Sequence, residues 1–266
     1  MTDVAAARRR FAELHGSGTF LMPNAWDLGS ARLFADIGFE AIATTSSGFA
    51  ATKGRLDQTL KLDELVAHVT DLAFGVDVPV SVDAEDGYAD DPAALVATVE
   101  ALADAGAAGI SIEDYRPGIG LLDITTATER VGVYSEAARS RGIVVTARAE
   151  NHLYGFDDLD DTIQRLRSYA RAGASVLYAP GLLTIESLSS VVTATSSAVN
   201  ALLLPGGPTV GEMRSAGVRR LSTGGGLAWV AYGAAVRAAR ELFEEGTEGF
   251  AAGMLGADDR RRVFQG

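Results

Sequence analysis

Eight short apolar runs, each followed by a longer amphipathic pattern, divide this chain into repeats of strand and helix. The runs are FLMP (20–23), AIATT (41–45), PVSVD (79–83), GISIE (109–113), IVVTARA (143–149), SVLYAP (175–180), ALLLP (201–205) and RRLSTG (219–224). Helical periodicity follows over 30–38, 62–75, 92–107, 125–141, 159–174, 185–195, 211–217 and 227–246. Several of these patterns stop at a glycine (DIG, DAG, RAG, SAG), the residue best suited to the left-handed conformation that closes a helix. Eight strand–helix units in succession predict a (β/α)8 TIM barrel, whose functional groups gather at the C-terminal ends of the strands.

The chain has 266 residues, of which 47% are hydrophobic, and no Pro-, Ser- or charge-rich linker interrupts it. Residues 1–266 therefore read as a single barrel domain. A further helix over 4–14 precedes the first strand and has a face suited to covering the barrel floor. The tail over 247–266 is less periodic but carries Phe250, Met254, Leu255 and Phe264. Those side chains are expected to dock on the barrel or on a neighbouring subunit.

A net charge of −12 argues against nucleic acid and anionic membrane as partners, because both demand basic surfaces. An anionic substrate stays open wherever a metal or an arginine supplies local positive charge. Lys53 and Lys61 are the only lysines and neither ends a strand, so a Schiff-base mechanism is not expected. The absence of cysteine removes thiolate ligands and cysteine nucleophiles. The N-terminal MTDVAAARRRFAELHG lacks the apolar core of a signal peptide, and no apolar run is long enough to span a membrane. A cytoplasmic protein is expected.

Asp83, Glu85 and Glu113 stand at the ends of two strand runs, and Arg148 ends a third. Strand side chains alternate between faces, so Ser81, Asp83 and Glu85 are expected to share one face, as are Ser111 and Glu113, and Thr146, Arg148 and Glu150. One acid beyond a strand is ordinarily a helix cap or a solvated turn residue. Three acids and an arginine on one rim point instead to a site for a divalent cation and an anionic substrate. Mg²⁺ takes few carboxylates and keeps several waters, so Asp83 is the expected direct ligand, with Glu85 and Glu113 acting through water; Mn²⁺ could take its place.

The segment TTSSGFA (44–50) offers hydroxyls and backbone N–H groups around Gly48 that suit a carboxylate, although Ser-Gly turns are commonly only turns. Two glycine-rich loops, PGGPTVGE (205–212) and STGGGLA (222–228), follow the last two strand runs. In many barrels such loops bind phosphate, and the equal alternative is a plain turn and a close helix contact. His15, His68 and His152 form no metal-binding spacing, and only His152 lies near a strand end.

Taken together, PNAWDLGSARLFADIGFEAIATTSSGFA (23–50), VSVDAEDGYAD (81–91), ISIED (110–114), TARAE (146–150) and VNALLLPGGPTV (199–210) resemble the phosphoenolpyruvate mutase/isocitrate lyase superfamily, in the same order and over nearly the whole chain. The resemblance implies a Mg²⁺-dependent barrel that makes or breaks C–C or P–C bonds in 2-oxo or 2-hydroxy carboxylates through an enolate-like species. It implies that Thr45, Ser47, Gly48 and Phe49 hold the substrate, that Asp57 is the acid of a loop after the second strand, and that Asp83, Glu85 and Glu113 serve the metal. Arg148 would balance substrate charge and Asn200 would contact a carboxylate. It also implies a homo-oligomer, dimer or tetramer, with C-terminal helices exchanged between subunits.

The departures carry equal weight. The isocitrate and methylisocitrate lyases of that superfamily carry a Lys- and Cys-containing loop after the fourth strand, where this chain has YRPGIGLLDITTATER (115–130) without either residue. Mutases and phosphonopyruvate hydrolases usually carry a Lys and an Asn there, also missing. Glu85 replaces a commoner Asp, and Gly181 stands where lyases often carry Glu. The expectation is a C–C lyase other than those two, with P–C chemistry or a non-catalytic metabolite-binding barrel as the alternatives.

Overall fold

The computed structural model describes residues 3–265, so positions 1, 2 and 266, the outermost of the expected 1–266 barrel and 247–266 tail, lie outside the described residues. Helix α1 (Val4–Leu14) leads into a first strand that Pro23 divides into β1 (Phe20–Met22) and β2 (Asn24–Ala25). There follow α2 (Leu28–Ile37), β3 (Ile42–Thr44), α3 (Ser46–Thr52), α4 (Leu62–Gly75), β4 (Val80–Val82), α5 (Pro92–Asp104) and β5 (Gly109–Glu113). A small hairpin, β6 (Tyr115–Arg116) and β7 (Gly120–Leu121), precedes α6 (Ile124–Ser140), β8 (Val144–Arg148), α7 (Leu159–Arg171), β9 (Val176–Tyr178) and α8 (Ile185–Thr195). The chain finishes with β10 (Ala198–Leu202), α9 (Val210–Ser215), β11 (Arg220–Ser222), α10 (Gly226–Glu244) and α11 (Ala257–Phe264).

The main sheet is parallel and runs in the order β1-β11-β10-β9-β8-β5-β4-β3-β2. Since β1 and β2 are halves of one strand, the two ends of that order meet and the sheet closes as the expected (β/α)8 barrel. Proline has no N–H to give to a ladder, which is why the first strand breaks at Pro23. The amide of Asn24 spans the seam: Nδ2 donates to the Thr44 carbonyl at 2.7 Å, and Oδ1 accepts from the N–H groups of Thr223 and Gly224, each at 2.9 Å.

Strand alternation sorts the core. Val82, Ile110, Ile112, Val145, Ala147, Leu177, Val199 and Leu221 pack beneath the surrounding helices. On the inward face, Val144 and Val176 meet Phe11 of α1, so α1 plugs the floor. Arg8 fixes that plug by donating to the carbonyls of Ala103, Ala107 and Arg141 at 2.6–3.0 Å. Above the floor the inward residues are Ser81, Ser111, Thr146 and Asn200, all buried and polar. Barrels usually fill this layer with bulky branched side chains. Small polar residues leave a shaft in their place.

Many loop acids are helix caps: Asp27, Asp91, Asp123 and Asp158 each accept from a backbone N–H in the first turn of α2, α5, α6 and α7. Three local expectations change. The segment after β3 is helical instead of a loop, with Thr45 as the N-cap of α3 accepting from Gly48 N at 3.3 Å. Strand β10 begins at Ala198, ahead of the apolar run at 201–205, because polar Asn200 pairs inward with Tyr178 and Arg220 on both neighbours. Strand β4 stops at Val82, and Glu85 takes a left-handed conformation (φ 45°), so the alternation expected to align it with Asp83 ends before it. The tail meets the barrel where Val263 is buried and Arg262 pairs with Asp36 of α2 at 2.8 Å; Phe250, Met254, Leu255 and Phe264 are exposed on the single chain.

Candidate active site

Arg148 is the hub of the C-terminal rim. Its guanidinium meets Asp83 Oδ1 at 2.8 Å, Glu113 Oε2 at 3.2 Å and Glu150 Oε1 at 2.7 Å, and it lies 5.3 Å from the centre of the Tyr178 ring. Strand register explains the convergence, because Glu113 of β5 stands opposite Arg148 of β8, which stands opposite Tyr178 of β9. Glu150 is positioned from behind: its N–H donates to Asp114 Oδ1 at 2.8 Å, and Asp114 is itself held by Arg165 at 3.1 Å and the Tyr169 hydroxyl at 2.5 Å. Burial pushes Glu113 well above the usual carboxylate range against the pull of Arg148, and burial raises Glu150 in the same way.

Asp83 joins this hub to α3. Ser46 donates to Asp83 Oδ2 from its backbone N–H at 3.2 Å and from its hydroxyl at 3.1 Å. Asp83 N–H in turn donates to the Thr44 hydroxyl at 2.8 Å. Asp83, Arg148, Thr45, Ser46, Ser47 and Asp57 line one cavity of about 170 Å³, which continues down the shaft past Ser111 and Thr146 to Asn200 and Arg220. At roughly 30 Å³ per water, the space holds about six waters or one small organic acid.

Other expected residues fall outside the cavity wall. Glu85 is 6% exposed and does not line it, and its Oε1 has no hydrogen-bond partner. Burial, reinforced by the charges of Asp83 and Asp57, pushes its carboxyl up to about 8. Glu113 sits behind Arg148. The Phe49 ring is turned away and stacks on His68 with centroids 3.8 Å apart. Gly48 serves packing, since a Cβ there would lie 2.6 Å from Thr45 Cγ2 and 2.9 Å from Trp26 Cβ. His152 does not line the cavity and faces Asp157, with Nδ1 3.4 Å from its Oδ1. Asp57 reaches the mouth, where partial removal from water and the Asp83 charge raise its carboxyl. Beside it, Gln58 donates to the Tyr154 hydroxyl at 2.9 Å, and Tyr154 stacks on Tyr115 at 3.5 Å.

Of the two glycine-rich loops, the one at 205–212 does not reach the cavity. The other does so because Gly225 packs against α3, where a Cβ would lie 2.5 Å from Ser47 Oγ. Close packing accounts for that glycine without a phosphate. The sequence reading missed Asn24, Ser46, Tyr178 and Arg220. Arg220 carried a legible signal, as an arginine two residues before Ser222 in a strand whose alternate positions face inward.

A closed parallel barrel with an arginine-centred acidic rim over a small polar shaft defines a barrel enzyme of the C-terminal-rim type. Residues 11–243 match the family model for phosphoenolpyruvate phosphomutase, and the chain belongs to the phosphoenolpyruvate mutase/isocitrate lyase superfamily of lyases and mutases. An uncharacterised Mycobacterium tuberculosis protein is 33% identical over 80% of this chain and 81% of its own length. An oxaloacetate decarboxylase of Rhodopseudomonas palustris is 31% identical over 70% of this chain and 66% of that enzyme. Among solved structures, a candidate lyase/mutase from Burkholderia cenocepacia superposes with a TM-score of 0.95 at 40% identity, covering 99% of this chain and 98% of the other. Among the described residues, no helix is long and apolar enough to cross a membrane.

Proposed function

We propose that this enzyme cleaves or forms a C–C bond in a small 2-oxo or 2-hydroxy carboxylate through an enolate, with Mg²⁺, or Mn²⁺, as cofactor. The observation that carries this reading is the Asp83–Arg148 pair at 2.8 Å on the wall of a cavity of about 170 Å³. Among the described residues no three acids or histidines converge closely enough to ligate one ion together. That suits Mg²⁺, which uses one or two carboxylates and retains waters. Buried Glu85, with the charges of Asp83 and Asp57 nearby, is an acidic environment that a cation relieves. Asp83 would hold the ion directly, with Glu85 and Glu113 acting through water. When bound, the ion supplies positive charge for the substrate's carboxylate and oxo oxygens and for the negative charge developing beside them.

The chain's own residues orient and exchange protons. Arg148 and Ser46 fix both oxygens of Asp83. Thr45 and Ser47, joined through their hydroxyls at 3.2 Å, present polar groups to the substrate carboxylate, and Asn200 presents its amide from the opposite wall. Asp57, raised at the mouth, accepts or returns the proton of the cleaved fragment. The exposed apolar face of α10 supports assembly with further copies of the chain.

A panel of oxaloacetate, alkylmalates and phosphonopyruvate with Mg²⁺, read by product NMR, is expected to give C–C cleavage products. Turnover of phosphonopyruvate alone would move the assignment to P–C chemistry. Loss of turnover in Asp83→Ala is required; a variant that kept both Mg²⁺ binding and turnover would end the site assignment.

A further inference from the structure

Two arginines line the cavity, and their surroundings are opposite in charge. Arg148 carries three carboxylates. Arg220 is only 3% exposed and meets none among the described residues. It opens β11 in register with Asn200 and Phe20, low in the shaft. Its Nε donates to Asn200 Oδ1 at 2.8 Å and its Nη2 to the Thr146 hydroxyl at 2.9 Å, one inward step below Arg148 on β8. From the floor, His15 Nε2 lies 3.4 Å from Nη1. His15 Nδ1 is 2.8 Å from the Phe11 carbonyl and must be the protonated nitrogen, which leaves Nε2 as an acceptor.

All three partners are therefore neutral. A guanidinium has five N–H donors, of which these contacts use three, and the side chain lines the cavity. A buried cation is ordinarily paired, because burying an unpaired charge is costly. Burial, with the like charge of Arg148 adding to it, lowers the Arg220 pKa to about 10, which still leaves it charged at neutral pH. Its register neighbours are Phe20 and Asn200, and the small hydroxyl residues Ser81, Ser111 and Thr146 line the same cavity, leaving room for a ligand group to descend. Arg148 cannot serve a second anion equally well, being already surrounded by acids.

We propose that Arg220 forms a carboxylate subsite at the foot of the shaft, which takes the substrate's second anionic group and selects dianionic acids over monoanionic ones. The identity of that ligand rests on the carboxylate-lyase reading above; the anion subsite itself rests on Arg220 and its neutral partners.

Two measurements on the full chain with Mg²⁺ test this. Calorimetry with L-malate, which has two carboxylates, and L-lactate, which has one, is expected to show a malate preference that falls about 10- to 100-fold in Arg220→Met, the range of a lost charged hydrogen bond. Arg220→Lys should restore part of it, and lactate should bind all three proteins alike. A preference unchanged in Arg220→Met makes Arg220 a brace for Asn200 and overturns the proposal. Wild-type crystals soaked in bromide need no folded variant: an anomalous peak within hydrogen-bond reach of the Arg220 Nη atoms is expected, and its absence overturns the subsite. Bromide at Arg220 with neither acid bound would retain the anion subsite and reject the carboxylate-lyase reading.

Discussion

Glu113 and Arg148 stand opposite each other in register on adjacent strands, with Oε2 and Nη2 3.2 Å apart. The pair is one spoke of an arginine hub that also holds Asp83 and Glu150. Replacing Arg148 by Met leaves buried acids without their cation. Such a loss costs about 3–5 kcal/mol, to be read from urea unfolding at pH 7.5. The penalty should shrink at pH 5, because the raised carboxyls then take up protons. An unchanged unfolding midpoint at pH 7.5 would contradict the hub.

The floor plug makes a second prediction. A Cβ on Gly109 would lie 2.4 Å from Phe11 Cε1, so Gly109→Ala should destabilise by about 1–3 kcal/mol through overpacking. In a Phe11→Ala background the same substitution should cost little. Additive effects in that double-mutant cycle would show that the ring and the glycine do not share the space.

Acid sensitivity follows from His68. Burial lowers its pKa to about 4, so the folded chain resists a proton that the unfolded chain accepts near pH 6.5. The unfolded state therefore binds more protons between these values, and stability falls as pH drops through that window. At pH 5 the contribution is about 2 kcal/mol relative to pH 8. His68→Phe should flatten this part of the stability profile; an identical pH dependence in both proteins would refute it.

Metal affinity separates the acids. Mg²⁺ at about a hundred times its dissociation constant should raise wild-type stability by about 2.7 kcal/mol, seen as a thermal shift. Asp83→Asn should abolish the shift. Glu85→Gln should weaken binding by about 10- to 100-fold, as expected of a group acting through water. Equal losses in the two variants would make Glu85 a direct ligand.

Helix α10 displays Trp229, Val230, Val236, Leu242 and Phe243, the last 90% exposed. A homo-oligomer is the expected state by light scattering, and Val236→Glu with Phe243→Glu should shift it towards monomer. A wild-type monomer at micromolar concentration would remove the proposed assembly.

The barrel was legible because strand and helix periods alternate without interruption, and the acid–arginine rim was legible because Asp83, Glu113 and Arg148 each close a strand run and meet at the rim. Glu85 was placed on that same face, but its left-handed backbone removes the alternation on which that placement depends. Asn24 and Arg220 were passed over for a different reason. The role of Asn24 comes from partners about 200 residues away at the seam, which local periodicity cannot encode; the inward position of Arg220 was legible from alternation, but its partners on three other elements were not. Phe49 was assigned to substrate by likeness, whereas its stacking on His68 is a helix-to-helix contact invisible to a motif.

The break at Pro23 fastens the cylinder with two unlike clasps. Its lower hoop joins β1 to β11 through backbone, while its upper hoop is drawn shut by the Asn24 amide. Removing the Asn24 amide would therefore weaken the closure at the mouth, where the Asn24 N–H bond to the Thr223 hydroxyl would remain, and leave the backbone closure at the base intact.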